Sequence, residues 1–168
     1  MMDKIYIAFG ANLSNPIDAF TDALKALQNQ GAEIVSVSGL WKSPSWPPGE
    51  GHPDFLNGVC QVKWNGQADN LLKTLKTLEV AAGRVATVRN APRPLDLDII
   101  DFNGRVQRSD LLELPHPRMD QRGFVLFPLA EIAPEWTHPV TNMSISDLIA
   151  RLPLRDVDPM EYLGKFWS

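Results

Sequence analysis

The sequence predicts an α+β fold: a ferredoxin-like βαββαβ core with a mainly antiparallel sheet, two helices on one face, and a C-terminal helical elaboration. Three observations predict it. Stretches that alternate apolar and polar residues interleave with stretches of helical period in the order β-α-β-β-α-β. Gly, Pro and Asn clusters fall between them. At 168 residues with 44% hydrophobic content, the chain has the size and apolar share of a single core.

Lys4–Gly10 reads as the first strand, with Ile5, Ile7 and Phe9 alternating against Lys4, Tyr6 and Ala8. A helix follows. Asn15 suits its cap, Pro16 its first turn, and Asp18 and Asp22 its positive end, while Ile17, Phe20, Leu24 and Leu27 form its apolar stripe and Gly31 ends it. Glu33–Ser43 reads as one strand, with Val35, Val37 and Trp41 on one side. Pro44–Pro53 holds four prolines and two glycines, which exclude both helix and ladder and make a surface loop. Phe55–Trp64 is the third strand: Leu56, Cys60, Val62 and Trp64 share one face, and Phe55, Asn57, Gln61 and Lys63 the other. Ala68–Ala82 carries Leu71, Leu75, Leu78 and Ala82 at helical spacing before Gly83. Arg84–Pro94 reads as a loop and Leu95–Phe102 as the fourth strand, with Asn103-Gly104 as a hairpin turn into Arg105–Gln107. Gly123–Ala133 predicts a helix interrupted by, or starting at, Pro128, and Ser146–Arg151 a last short one. The residues beyond Pro153 give no clear pattern.

Composition removes several function classes. No apolar run approaches the roughly 18 residues of a membrane span, and the N-terminal stretch lacks the features of a secretory signal. One cysteine, Cys60, forms neither a disulfide framework nor a cysteine zinc site, and its apolar face predicts a buried, inert thiol. These features predict a soluble cytoplasmic protein, one domain over residues 1–168. A formal charge of −4 opposes general nucleic-acid binding, which needs a positive footprint. Neither a phosphate-binding P-loop nor a dinucleotide fingerprint occurs.

The chemistry concentrates around Leu95-Asp-Leu-Asp-Ile99. On a strand, Asp96 and Asp98 project together opposite Leu95, Leu97 and Ile99. Two like charges so close favour a cation beside them, and magnesium suits one or two carboxylates completed by water and phosphate. In isolation the pair reads first as an acidic solvated strand, and the metal site second. Its surroundings argue further: from Val80 to Arg122 there is no lysine but there are seven arginines (Arg84, Arg89, Arg93, Arg105, Arg108, Arg118, Arg122). Arginine grips phosphate with a planar fork of donors. Phe55 and Asn57 share a strand face, offering a stacking surface and a carboxamide to a flat heterocycle.

In combination these pieces resemble the 6-hydroxymethyl-7,8-dihydropterin pyrophosphokinases of folate biosynthesis. The matching segments are Gly10-Ala-Asn-Leu13, Ser43-Pro44, Pro53-Asp-Phe-Leu-Asn57, Glu79 with Gly83-Arg84, Pro92-Arg-Pro-Leu-Asp-Leu-Asp98, Leu114-Pro-His-Pro-Arg118, Arg122-Gly-Phe124 and Pro128-Leu-Ala-Glu-Ile-Ala-Pro134. The likeness runs from about Lys4 to Leu152. It implies that the hydroxymethyl oxygen of the pterin attacks the β-phosphorus of ATP and AMP leaves. Asp96 and Asp98 would hold two magnesium ions, and Phe55 and Phe124 would sandwich the pterin. Asn57 would bond its pyrimidine edge, with Ser43, Pro44 and Trp46 completing the pocket. Arg84 and Arg93 would hold phosphates and stabilise the transferring group. Glu79, Arg89, Ile99, His116, Arg118 and Arg122 would line the ATP site. The loops around Gly10–Ser14, Pro44–Pro53 and Arg84–Pro92 would close over the substrates of a monomer. Ala86, Asn90 and Ala91 depart from the family's Arg, Trp and Gly, and Ser43 from its Thr; Arg89 is the candidate replacement for the lost phosphate contact. Two rivals remain at this point: another magnesium-dependent nucleotidyltransferase, and a non-catalytic ferredoxin-like binding module.

Overall fold

The structure, a computed structural model, describes residues 3–12, 15–44, 54–83 and 95–167. The proline-rich segment from Ser45 to Pro53 and the arginine loop from Arg84 to Pro94 lie outside the described residues, and so do the expectations placed on Trp46, Arg84, Arg89 and Arg93. In chain order the elements are β1 (Ile5–Ala11), α1 (Pro16–Asn29), β2 (Glu33–Val37), β3 (Leu40–Ser43), β4 (Phe55–Lys63), α2 (Ala68–Ala81), β5 (Asp96–Phe102), β6 (Gln107–Arg108), β7 (Glu113–Leu114), a 3₁₀ turn (Met119–Gln121), α3 (Gly123–Ile132), α4 (Ile145–Ala150), α5 (Leu154–Val157) and β8 (Glu161–Gly164).

The main sheet runs β5-β1-β4-β3-β8, with β2 also paired to β4. Every pairing in it is antiparallel. β2 lies along one half of β4 and β3 along the other, so the two act as one strand. Counted that way, the core order is fourth, first, third, second, the ferredoxin-like order that the alternation predicts.

The break between β2 and β3 corrects the single strand expected over Glu33–Ser43. Ser38 is fully buried; its Oγ accepts from the Val59 N–H at 2.9 Å and donates to the Gly39 carbonyl at 2.8 Å. That local bonding interrupts the ladder and slips the side-chain phase. Val37 therefore joins the core under α1 and α2, while Trp41 turns to the other side and stacks on Phe127 of α3 at 5.3 Å. The shared face expected for Val37 and Trp41 does not form.

Each face of the sheet has its own core. On one, Ile5, Ile7, Phe9, Cys60, Val62, Leu97 and Ile99 meet Phe20, Leu24 and Leu27 of α1 and Leu71 and Leu75 of α2. Cys60 sits here as expected, 1% exposed, and burial pushes its thiol up to about 12. On the other, Tyr6, Val59 and Ile100 meet Val125, Leu126 and Leu129 of α3, Ile145 and Leu148 of α4, and Trp136. The pairing of β1 with β5 shifts register between Tyr6 and Ile7, which lets Ile100 and Asp101 serve the same face in succession. Asp101 accepts from the Trp136 indole N–H at 2.9 Å and from the Gly104 N–H at 3.0 Å.

Asn103 (φ 55°) and Gly104 (φ 73°) form the expected left-handed turn, closed by Arg105 N–H on the Phe102 carbonyl at 3.0 Å. The strand after it does not fold back on β5, however: β6 pairs with β7. Asn15 occupies the cap of α1 without a side-chain cap bond. Pro128 lies inside α3 rather than breaking or starting it. The C-terminal stretch, featureless in sequence, supplies α5 and the edge strand β8. Beyond β8, Phe166 packs against Phe9 (5.8 Å) and Phe20 (6.0 Å), on the helix side of the sheet. Among the described residues no helix is long and apolar enough to cross a membrane.

Candidate active site

The central strand aligns the two halves of the predicted site. Gly10 of β1 pairs with Asp96 on one side and Asn57 on the other, and Asn57 pairs in turn with Trp41. One step along, Ala8 pairs with Asp98 and Val59. Strand alternation therefore sets Asp96, Asp98, Asn57 and Phe55 on one face, the face that α3 partly covers. Both aspartates are half-buried, while Leu95, Leu97 and Ile99 between and beside them are buried on the opposite face.

Cationic groups converge on the pair. Burial pushes the Arg122 guanidinium below its usual value, with Asp98 and Asp96 pulling it back up and Arg118 lowering it further. Burial likewise lowers the His116 imidazole, against the pull of Asp98 and with the help of Arg122 and Arg118. The His116 N–H of the backbone donates to the Ile100 carbonyl at 2.9 Å, which fastens this segment to the aspartate strand. Its Nδ1 accepts from the Arg118 N–H at 3.2 Å, so the neutral ring carries its proton on Nε2 and presents a donor. The Arg122 guanidinium lies over the Phe124 ring at 5.5 Å, a cation–π contact at the head of α3.

Asn57 is 5% exposed and held firmly. Its Nδ2 donates to Ser43 Oγ at 2.9 Å and to the Trp41 carbonyl at 3.3 Å. Its Oδ1 lies over Gly10, where a Cβ would approach to 3.0 Å. Glycine is needed there for close approach rather than for its dihedral freedom. Ser43 is buried and Pro44 exposed at the end of β3, beside this carboxamide.

A family model, 7,8-dihydro-6-hydroxymethylpterin-pyrophosphokinase (HPPK), matches residues 6–134. The chain belongs to the HPPK family. It is 35% identical over 159 residues to the 2-amino-4-hydroxy-6-hydroxymethyldihydropteridine pyrophosphokinase of Pseudomonas aeruginosa, covering 94% of this chain and 97% of that one. With the enzyme of that name from Aquifex aeolicus it shares 32% over 165 residues, 98% of this chain and 96% of the other. The folic acid synthesis protein fol1 of Pneumocystis carinii is 34% identical over 159 residues, 94% of this chain, and there the chain spans only 21% of the relative's length. In fold it resembles the HPPK-DHPS of Plasmodium falciparum crystallised with pteroate: TM-score 0.65 at 12% identity, over 90% of this chain and 44% of that one. Members of the HPPK family are ATP- and magnesium-dependent pyrophosphokinases.

Within the HPPK frame, two expected site residues work from behind the strand. Glu79 of α2 is 2% exposed; its Oε2 accepts from the Leu97 N–H at 2.8 Å and its Oε1 from Lys76 Nζ at 3.2 Å. It thus grips β5 between the two aspartates from the helix side of the sheet. The Ile99 side chain is 3% exposed in the helix-side core, so a nucleotide contact from this residue is limited to its main chain. Arg118 is exposed and Arg122 half-buried at the site's margin.

The aspartate pair fits a hard cation. Among the described residues no cluster of three or more His, Cys, Asp or Glu gathers, so the donors that the described residues offer here are these two carboxylates. That donor set is what magnesium takes when water and phosphate oxygens complete its shell.

Sequence reasoning includes Glu131 in a matching segment but gives it no role. It is the sole charged residue of α3 (GFVLFPLAEI), and that isolation within an apolar helix is the signal that could have found it. Its carboxylate accepts from the Gly39 N–H (3.1 and 3.0 Å), Trp41 Nε1 (3.3 Å), the Tyr162 hydroxyl (3.3 Å) and Lys165 Nζ (3.1 Å).

Proposed function

We propose that this chain transfers the pyrophosphoryl group of ATP to 6-hydroxymethyl-7,8-dihydropterin, giving the pterin diphosphate and AMP for tetrahydrofolate synthesis. The single observation that carries the proposal is the row Asp96–Gly10–Asn57, a carboxylate suited to a hard cation and a carboxamide suited to a heterocycle edge on either side of a glycine. In the reaction the pterin CH2OH oxygen bonds to the β-phosphorus. The bridge to the α-phosphorus breaks, AMP takes its electron pair, and the alcohol proton is released. Such chemistry asks the protein mainly for positioning and charge stabilisation.

Each residue set has one task. Asp96 and Asp98 would hold two magnesium ions, whose charge would offset that of the phosphates. Asn57, fixed by Ser43 Oγ and the Trp41 carbonyl, would read the pyrimidine edge of the pterin, with Phe55 and Phe124 stacking on its faces and Pro44 and Trp46 completing the rim. Arg122, Arg118 and the Nε2–H of His116 would face the nucleotide, together with Arg84, Arg89 and Arg93. Donors held in place before the reaction stabilise the charge that develops in it. A monomeric, cytoplasmic enzyme with one domain over residues 1–168 belongs to the same proposal; the lone buried cysteine and the use of ATP support its cytoplasmic part.

One incubation tests it. Incubated with ATP, magnesium and the reduced hydroxymethylpterin, the protein should release AMP in step with pterin diphosphate. Free pyrophosphate instead of AMP would identify a nucleotidyltransferase, and no nucleotide turnover a binding module. Asp96→Asn and Asp98→Asn should each lower kcat by at least about a thousandfold, a loss of about 4 kcal/mol in transition-state stabilisation, while circular dichroism stays unchanged. Near-normal turnover in either variant would remove the metal assignment. A magnesium titration of turnover that needs only one ion would reject the two-ion reading.

A further inference from the structure

Four donors from two distant stretches of chain end on the carboxylate of Glu131. Gly39 sits in the break between β2 and β3, Trp41 lies on β3, and Tyr162 and Lys165 belong to or follow β8. Glu131 itself lies seven residues beyond Phe124 on the same helix. The elements it joins are the two walls of the pterin pocket described above: α3, which presents Phe124, and β3, whose Trp41 carbonyl and Ser43 hydroxyl hold Asn57. The contacts around it are close. Trp41 stacks on Phe127 of α3 at 5.3 Å and meets Tyr162 at 4.9 Å. Tyr162 covers Gly39 so closely that any Cβ there would collide with its hydroxyl and ring. The Glu131 side chain is 20% exposed, shielded enough from water for these charge-assisted bonds to hold geometry.

We propose that Glu131 is a positioning residue for the pterin side of the reaction: it fixes α3 against β3 and β8, and so sets the gap between Phe124 and Asn57. This rests on the function proposed above and deepens it. Glu131 touches neither substrate. It acts through Trp41 and Gly39 on the strand that holds Asn57, and the segment from Glu161 to Lys165, which lies beyond the matched family region, becomes part of the pocket's support. The aspartate pair stands on β5, at the far side of β1 and β4 from β3, so it is not tied to this node, and Arg122 at the head of α3 is held toward that end by Asp98 and Asp96 independently of Glu131.

The test separates the two substrates. Calorimetry first measures hydroxymethyl-dihydropterin binding to the wild-type protein with magnesium and a non-hydrolysable ATP analogue. No pterin binding there would bring down the functional reading and this inference with it. With wild-type binding established, Glu131→Ala should raise KM for the pterin about tenfold, the equivalent of one lost hydrogen bond to a charged group. KM for ATP should stay within twofold. Trp41→Phe, which removes one donor and keeps a ring, should move the pterin KM in the same direction by a smaller factor. Should Glu131→Ala fail to fold, Trp41→Phe alone decides by the same split. Equal rises in both KM values, or an unchanged pterin KM alongside a lowered Tm, would overturn the proposal and leave Glu131 a purely structural link. Lys165→Met, which removes only the most exposed partner, should leave the pterin KM within twofold, and a larger rise would place the control in the lysine instead.

Discussion

At the scale of single residues, Gly10 shows how an absent side chain can be a functional part. It sits mid-row between Asp96 and Asn57, and a methyl at its α-carbon would meet Asn57 Oδ1 at 3.0 Å. Gly10→Ala should displace the carboxamide and raise the pterin KM by about tenfold, one hydrogen bond's worth. Folding stability should change by no more than about 1 kcal/mol, because the neighbour that must yield is a side-chain end and not backbone. Paired steady-state kinetics and urea melts check it; an unaffected pterin KM would mean that the substrate does not depend on Asn57 Oδ1. The site residues themselves were legible from the chain because alternation on a strand is fixed by geometry. Asp96 and Asp98 had to share a face, as did Phe55 and Asn57. That Ile99 would turn to the core follows from the same rule. That Glu79 would reach across from α2 to the Leu97 N–H does not, because a contact between elements has no period in sequence.

At the scale of elements, the bonding around Glu131 makes one helix–sheet junction sensitive to acid. Burial alone would raise this carboxyl, but the Gly39 N–H, Lys165 and the Trp41 indole outweigh it and hold it below its ordinary value. A carboxyl lowered in the folded state contributes stability above its unfolded value, near 4.5, and loses that contribution as pH falls through the folded value. The stability difference between wild type and Glu131→Gln should therefore be largest at pH 6 and shrink steadily toward pH 3, read by denaturant melts across that range. A constant difference would show that charge at Glu131 does not matter. The same junction explains why β2 and β3 could not be separated from sequence. Val35, Val37 and Trp41 keep strand parity, and the interruption comes from Ser38 Oγ bonding across to Val59, a contact with a residue far along the chain.

At the scale of the whole molecule, the chain's last residues tie the two cores together. β8 pairs with β3 on the edge of the sheet, its Tyr162 reaching Glu131 on the α3 side, and Phe166 then packs against Phe9 and Phe20 on the opposite side. Phe166→Ala should cost about 1–3 kcal/mol in unfolding free energy, below the loss for a fully enclosed phenylalanine because the ring is only partly buried. Chemical denaturation measures it, and a loss under about 0.5 kcal/mol would mean that the strap is loosely attached.

The sequence by itself determined the order of elements, the helix-side core, the carboxylate pair, the aromatic–amide pair and the family they belong to. Each of these is written in local periodicity or in residues close together along the chain. Only the tertiary structure decided that β8 completes the sheet, that β6 pairs with β7 rather than with β5, and that Glu131 joins α3 to β3 and the C-terminal strand. The physical reason is common to the first and the last. Edge pairing and hydrogen bonds between distant segments depend on which backbone groups and side chains come to lie together once the cores have closed, and residues some thirty or ninety positions apart carry no shared period to announce it.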